Sequence, residues 1–88
     1  MPKFKLPANK VEIICIAQDF RSVRRYSRCT GTPLNTIRFA KRVSDVKGLS
    51  SNIPVVRING YWLHEEYLEL INWLIQNYFI IEDWEEEE

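Results

Sequence analysis

The stretch IPVVRINGYWL, residues 53–63, decides how the rest of the sequence is interpreted. It consists of two short apolar runs on either side of the dipeptide Asn59-Gly60. Asn-Gly between two such runs is the strongest short-range signal for a β-hairpin, because both residues of the tight turn need a positive φ. The sequence therefore predicts a two-stranded hairpin over residues 53–63.

The segment before this hairpin predicts two helices joined by a short turn. Asp19 is a good N-cap for a first helix over 20–29, and Gly31 can end that helix. Thr32 and a proline at the first helical position predict a second helix over 33–47. Apolar residues recur every three positions in this second segment, as on the buried side of a helix: Leu34, Ile37, Ala40, Val43 and Val46.

The flanking segments predict one strand and one further helix. VEIICIA, residues 11–17, is rich in β-branched residues and predicts a buried strand. A short helix is the alternative there, because Asn9 and Glu12 have the spacing of an N-cap pair. A third helix is expected over about 65–79, with acidic residues in its first turn, where the helix dipole favours them.

The 88 residues are 45% hydrophobic, which is enough for one small packed domain. The formal net charge of zero conceals a division. Residues 1–57 contain all twelve basic side chains and three acids, whereas residues 58–88 contain nine acids and no Lys or Arg. A division of this kind indicates a polyanionic partner or an acidic tail. The expected organisation is a basic arm at 1–10, one domain over 11–81 and an acidic tail at 82–88.

The chemistry-bearing residues do not form an enzyme site. The two cysteines lie fourteen positions apart without a CxxC pair, and His64 is the one histidine. No Ser/His/Asp set and no Gly-rich phosphate loop is present. We therefore expect a non-enzymatic protein with no metal, cofactor or small-molecule substrate. The chain has no secretory signal and no apolar run that would span a membrane, so a cytoplasmic location without membrane contact is expected.

The first predicted helix has an arginine stripe. Its four arginines fall at i, i+3, i+4 and i+7, which puts them on one helical face, opposite the core-facing Phe20, Val23 and Tyr26. Arginines in such an array suit contacts to phosphates. The predicted phosphate-binding residues are Arg21, Arg24, Arg25 and Arg28. A solvated helical surface is the structural alternative.

Two helices joined by a short turn that contains glycine have the shape of a helix-turn-helix, whose second helix enters the major groove of DNA. Asn and Arg on that helix would each make two hydrogen bonds to one base edge. The predicted contacts of the second helix are Asn35, Arg38, Lys41 and Arg42. The hairpin would then be a wing that touches the DNA backbone or minor groove through Arg57, Asn59 and Tyr61, unless it only covers the core.

TGTPLNTIRFAKRV followed by IPVVRINGYWLHEEYLELINWL resembles the winged helix-turn-helix of phage excisionases and mercury-resistance-type regulators. The similarity lies at Pro54–Ile58, Gly60, Trp62 and Trp73-Leu74. It implies DNA recognition by the helix over 33–47 and backbone contact by the wing. The segment SDVKGLSSN is longer than the family pattern, and VEIICIA has no clear counterpart there.

The same C-terminal stretch also resembles the end of a thioredoxin or glutaredoxin fold, in which a cis-proline precedes a hairpin and a last helix. The CxxC motif of that fold is absent, so this alternative implies a protein-binding module without redox activity. Its working surface would be the acidic C-terminal part. The residues expected at such an interface, or at a homodimer interface, are Trp73, Ile80, Ile81 and Trp84.

The leading expectation is an α+β protein with a small winged helix-turn-helix domain, a β-hairpin wing, an N-terminal strand and a C-terminal helix. It would bind double-stranded DNA sequence-specifically, as a small transcription regulator or an excisionase-like recombination factor. A homodimer would match a palindromic site. The alternative is the non-enzymatic protein-binding modulator described above, which would be phage-borne.

Overall fold

The computed structural model describes residues 11–85, which form two α-helices and a four-stranded sheet. The strands are β1 Ile13–Ile16, β2 Ile37–Phe39, β3 Val55–Ile58 and β4 Ile81–Trp84. The helices are α1 Phe20–Thr30 and α2 Tyr67–Gln76. Single 3-10 turns cover Leu34–Thr36, Val43–Asp45 and Tyr61–Leu63. The expected α+β content is therefore confirmed, with a parallel sheet.

All neighbouring strands pair in parallel, in the order β2-β1-β3-β4. The chain runs from β1 through α1 to β2 on one side, and then returns to place β3 on the other side of β1. α2 connects β3 to the edge strand β4. This strand order has a topological switch point between β1 and β3, where the two connections diverge.

The two helices cover opposite faces of the sheet. Since successive side chains of a strand point to opposite faces, β1 contributes residues to the packing of both helices. On one face, Ile14 and Ile16 of β1 belong to the cluster that contains Leu70 and Leu74 of α2. On the other face, the intervening Cys15 belongs to the cluster that contains the two buried residues of α1. Each half of the core is thus made of one helix and one side of the sheet.

The ends of α1 follow the sequence prediction. The Asp19 carboxylate accepts a hydrogen bond from the Ser22 amide at 3.0 Å, as an N-cap does. Gly31 adopts a left-handed conformation with φ 75° and donates its N–H to the Ser27 carbonyl, which ends the helix. The expected strand over 11–17 and the expected third helix are also confirmed, as β1 and α2.

The predicted helix over 33–47 is wrong, because that segment contains β2 between two 3-10 turns. Its regular apolar spacing does not define one face. Ile37 packs in the cluster of α1, whereas Ala40 and Val46 pack in the cluster of α2. The Asp45 carboxylate accepts hydrogen bonds from two backbone amides just after β2, at 2.8 and 3.2 Å, and so closes a turn that a continuous helix would not have.

The predicted hairpin over 53–63 is wrong as well, since β3 pairs in parallel with β1 and β4. Gly60 has a φ of 96°, but Asn59 does not share the positive φ that the expected turn requires. Tyr78 is the one non-glycine residue with positive φ among residues 11–85. The chain leaves Gly60 into a 3-10 turn and then α2, so neither a wing nor a recognition helix is present in the described part of the chain.

The acidic C-terminal segment begins inside the sheet. Glu82 and Asp83, expected in a tail, belong to β4 and pair with Val56 and Arg57 of β3. The predicted basic arm at 1–10 and the last three residues of the expected tail lie outside the described residues. No helix within the described range is long and apolar enough to cross a membrane.

Candidate nucleic-acid interface

The outer surface of α1 is built from its four arginines. Val23 and Tyr26 are buried against the sheet, and all four arginines are exposed on the opposite side of the helix. The helix contains no Asp or Glu between Phe20 and Thr30, so no acid within the helix offsets this positive charge. The exposed stripe that the spacing predicts is therefore present.

The end of β2 adds two basic residues to the same region. Lys41 and Arg42 are both exposed, and their backbone amides are held by Asp45. The Lys41 ammonium lies 5.6 Å from the centroid of the Phe39 ring, and that ring lies 6.1 Å from the ring of Phe20 at the start of α1. An aromatic pair thus joins the end of β2 to the start of α1. We call the four arginines of α1 together with these two residues the basic surface: Arg21, Arg24, Arg25, Arg28, Lys41 and Arg42.

A depression of about 400 Å³ lies beside this aromatic pair, at the carboxyl ends of the strands. Ligands of open parallel sheets bind in such a position, next to the switch point. We call it the carboxyl-edge crevice. It is lined by Gln18, Asp19, Phe20, Phe39, Lys41, Arg42, Leu63, His64, Glu65 and Glu66.

The walls of the crevice differ in charge. On the β2 side the lining contains the cationic residues Lys41 and Arg42. On the opposite side it contains the acidic residues Glu65 and Glu66, which directly precede α2. His64 Nδ1 accepts a hydrogen bond from the Glu66 amide at 3.1 Å, so this imidazole stabilises the local turn. No group of three or more His, Cys, Asp or Glu side chains within residues 11–85 is placed to hold a metal ion.

The predicted base-reading residues do not share a surface. Asn35 lies in the turn before β2, and Arg42 lies beyond the opposite end of that strand. Arg38, between them, is half-buried and donates from Nη1 to the Asp45 carbonyl at 3.0 Å. These three side chains therefore cannot enter one major groove as a helix would present them. Lys41 and Arg42 join the basic surface instead.

The residues expected in the wing belong to the β3–β4 side of the sheet. Arg57 donates from Nε and Nη2 to the two carboxylate oxygens of Asp83, at 2.6 and 2.9 Å. Its guanidinium carbon also lies 4.9 Å from the centroid of the Tyr61 ring. The hydrogen bond to Asp83 raises the pKa of Arg57 above its ordinary value. Arg57, Asn59 and Tyr61 line a second depression of about 210 Å³, together with Trp62 and Trp84.

The four residues expected at a partner interface are divided between the two faces of the sheet. Trp73 packs with the α2 cluster, at 6.0 Å between its ring centroid and that of Phe79. Trp84 packs with the α1 cluster and meets the Tyr26 ring edge-on at 5.2 Å. Ile80 is exposed, and Ile81 is half-buried in β4. They do not form one continuous surface.

The sequence interpretation missed two residues of this region, Phe20 and Phe39. Phe20 was expected in the core, but half of its surface is exposed. Phe39 lies in the unpredicted strand β2 and was not singled out. The β-prone run TIRF could have indicated that strand, because it contains two β-branched residues and an aromatic one.

No family model matches the chain, and neither a curated protein nor a solved structure matches it. The resemblance to excisionases and mercury-resistance-type regulators stays a prediction from short motifs. The chemistry of the basic surface and of the neighbouring crevice is therefore what indicates a function.

Proposed function

We propose that the protein is a non-enzymatic nucleic-acid-binding protein that contacts phosphates through its basic surface. The observation that carries this proposal is the exposed side of α1, where four arginines lie opposite the buried side. A core-covering helix needs polar residues on its outer side, but it does not need four of one sign. Lys41 and Arg42 extend the same charge to the adjacent edge of the sheet.

The residue type favours phosphate as the ligand. A guanidinium group is planar and pairs with phosphate oxygens through two hydrogen bonds, and arginine is the usual choice for nucleic-acid recognition. From Arg21 to Arg28 the helix rises about 10 Å at 1.5 Å per residue, a length along which a nucleic acid strand presents several phosphates. Such contacts would give affinity that falls steeply with salt concentration.

The geometry supports backbone contacts better than sequence-specific reading. Phosphate contacts position a protein on nucleic acid but carry no direct sequence information. Asn35 and Arg38 are not available as a set of base-reading side chains, for the structural reasons given above. A role in transcription regulation or recombination would then depend on partners or on nucleic acid structure.

The experiment is a fluorescence-anisotropy titration of mixed-sequence duplex DNA at about 50 and 200 mM salt. Six phosphate contacts would make the affinity at the higher salt concentration about a thousandfold lower than at the lower one. The test variant is Arg24→Glu with Arg28→Glu, which we expect to weaken binding at least about a hundredfold at the lower salt concentration. The control is Lys47→Glu, which changes half as much charge at an exposed cation that lies beside Trp73 on the α2 side of the sheet.

Loss of binding in the double variant with a near-normal Lys47→Glu control would support the proposal. No binding of the wild-type chain at low salt would contradict it. A loss in the logarithm of affinity for Lys47→Glu that is half the loss of the double variant would also contradict it. The control changes half as much charge, so this ratio would mean that binding follows net charge instead of the position of the arginines.

A second candidate function, association with a protein partner or a second copy, is favoured by exposed apolar residues near α2. Leu68 and Ile75 are seven positions apart and so lie on the same side of α2, and both are mostly exposed. Ile80 is exposed just before β4. Light scattering of the wild-type chain and of Leu68→Glu tests this candidate for self-association. A dimer that the substitution abolishes would support it, and a monomer at all concentrations would exclude a homodimer.

A further inference from the structure

The carboxyl edge of the sheet has a feature that phosphate contacts do not explain, namely exposed aromatic rings beside basic residues. Phe20 and Trp62 are each 50% exposed, although large aromatic side chains are normally well buried in a domain core. Each ring lines a depression: Phe20 lines the carboxyl-edge crevice, and Trp62 lines the smaller depression beside Arg57 and Asp83.

We infer that the carboxyl-edge crevice takes an unpaired base, so that the nucleic acid bound by the protein is single-stranded. This inference rests on the function proposed above, and it adds the class of nucleic acid and the place where a base is held. The stacking ring would be Phe20, and the phosphates on either side of the base would lie on Arg21, Lys41 and Arg42.

The size and position of the crevice suit a base with its sugar. Its volume of about 400 Å³ is within the range of ordinary ligand pockets. It opens beside the ends of β1 and β3, because Gln18 and Asp19 come two and three residues after β1, and the turn over Tyr61–Leu63 follows β3. The fold therefore places an open cleft where parallel sheets of this order bind their ligands.

The lining provides the chemistry that a base needs. Phe20 and Phe39 form one wall, and a base stacks well on such rings because every base has a π-face. Leu63 contributes an apolar side chain to the lining, and the Gln18 amide can donate to and accept from a base edge.

The charges of the lining indicate on which side of the crevice the phosphates of the bound strand would lie. Lys41 and Arg42 would attract phosphates, whereas Glu65 and Glu66 would repel them. Asp19 is already engaged as the cap of α1 through the Ser22 amide. The phosphates are thus directed toward the β2 side and the arginines of α1, and the base toward the interior of the crevice.

The smaller depression lined by Trp62 offers a second stacking position. Its lining consists of Asn59, Tyr61, Trp62 and Trp84 with the charged residues Arg57, Asp83 and Glu85. Trp62 directly precedes Leu63 of the crevice in the chain. Arg57 is occupied there by Asp83, so this second depression supplies rings and an amide instead of unpaired positive charge.

This arrangement discriminates against a duplex. Paired bases are stacked inside the helix and reach a protein pocket only when they are unpaired and unstacked, which costs free energy. Unpaired bases can be splayed onto aromatic side chains without that cost. Phosphate contacts alone would not make this distinction, because both forms carry them. Preference for single strands is therefore the property that separates this inference from the proposed function.

The test compares a single-stranded thymidine oligonucleotide of about 12 nucleotides with a duplex of the same length, by anisotropy at low salt. We expect the single strand to bind about tenfold or more tightly than the duplex. Phe20→Leu, which keeps an apolar residue at the start of α1, should lower single-strand affinity about tenfold and leave duplex affinity unchanged. Leu68→Ala, an exposed apolar residue on α2, is the matched control.

Tryptophan fluorescence gives a second readout that does not depend on the stability of the Phe20 variant. Stacking of a base on Trp62 should quench part of the emission, and Trp62→Phe should remove that quenching while Trp73→Phe retains it. Equal affinity for single strand and duplex, with no change in Phe20→Leu and no quenching at Trp62, would overturn this inference and leave phosphate binding intact. Absence of binding to both oligonucleotides would overturn this inference and the proposed function together.

Discussion

α1 and α2 cover opposite faces of one sheet, but their outer surfaces differ. α1 buries two of its eleven residues and exposes four arginines. α2 buries three of its ten residues, and its exposed side carries Leu68, Ile75 and Glu69 without any basic residue. The sheet requires only that each helix bury one apolar side, so the outer surface is where the two helices can serve different purposes.

The difference teaches that α2 mainly completes the core, whereas α1 combines packing with the basic surface that we propose to bind nucleic acid. The cluster around α2 contains Leu70, Ile71, Leu74 and Phe79, and it is the larger of the two clusters. The cluster around α1 contains only two residues of that helix, namely Val23 and Tyr26. The following predictions test this division, beginning with the largest expected effect.

Truncation of the α2 core should have the largest effect on stability. Leu70 is fully buried, so Leu70→Ala should lower the free energy of unfolding by about 2–5 kcal/mol, through lost burial and the cavity that remains. Leu68→Ala on the exposed side of the same helix should change it by less than about 0.5 kcal/mol. Urea denaturation measures both, and similar values for the two variants would contradict a structural role for the inner side of α2.

The α1 side of the core should make the protein sensitive to alkaline pH. Burial raises the pKa of the Cys15 thiol to about 12 from its ordinary value, and burial also raises that of Tyr26. The unfolded chain would lose the thiol proton at a lower pH than the folded chain, so stability is complete below pH 9 and falls as pH rises toward 12.

The expected loss from Cys15 between about pH 8 and pH 10 is about 1 kcal/mol in the free energy of unfolding. Denaturation midpoints measured across this range should shift less in Cys15→Ala, because the titrating group is gone. The matched control is Cys29→Ala, since Cys29 is exposed. An unchanged pH dependence in the Cys15 variant would contradict burial of this thiol against α1.

The Arg57–Asp83 pair should contribute little to stability, although it is bidentate and joins β3 to β4. The Asp83 side chain is 66% exposed, and exposed ion pairs contribute at most about 1 kcal/mol. Asp83→Asn should therefore lower the free energy of unfolding by less than about 1 kcal/mol, and it should leave nucleic-acid affinity within about threefold. A larger gain of affinity would mean that Arg57, once released from Asp83, takes part in binding phosphates.

New arginines on α2 should have the smallest effect, if position matters more than net charge. Asn72 and Gln76 are exposed and four residues apart on α2, as Arg24 and Arg28 are on α1. Asn72→Arg with Gln76→Arg should raise nucleic-acid affinity less than about threefold, because charges farther apart than about 10 Å are largely screened. A rise in the logarithm of affinity that is half the loss in the α1 double variant would show that net charge alone determines binding, because this variant adds half as much charge as the α1 variant removes.

Elements with local signals were predictable from the sequence. The Asp19 cap and Gly31 predict where α1 begins and ends, and the β-branched run VEIICIA predicts β1. The four arginines of the basic surface were likewise predictable, because a helical period fixes their common side once the helix is known. Lys41 and Arg42 were identified as well, but as members of a helix that the structure does not contain.

Features that depend on distant pairing were not predictable in the same way. β2 is only three residues long, and its parallel partner β1 lies more than twenty positions earlier. The Asn59-Gly60 turn is locally compatible with a hairpin, and only the pairing of β3 with β1 and β4 determines that the chain continues into α2. The crevice was not predictable for the same reason, because it lies where the carboxyl ends of β1, β2 and β3 meet, and their pairing is not visible in the local sequence.

The most direct test of the central claim is an NMR titration of the ¹⁵N-labelled chain with a single-stranded oligonucleotide. If α1 and the adjacent edge form the binding surface, amide shifts should concentrate in Phe20–Thr30 and at residues 39–42, while the outer side of α2 stays unchanged. Shifts concentrated on α2 and β4, with α1 unaffected, would contradict the assignment of binding to the basic surface.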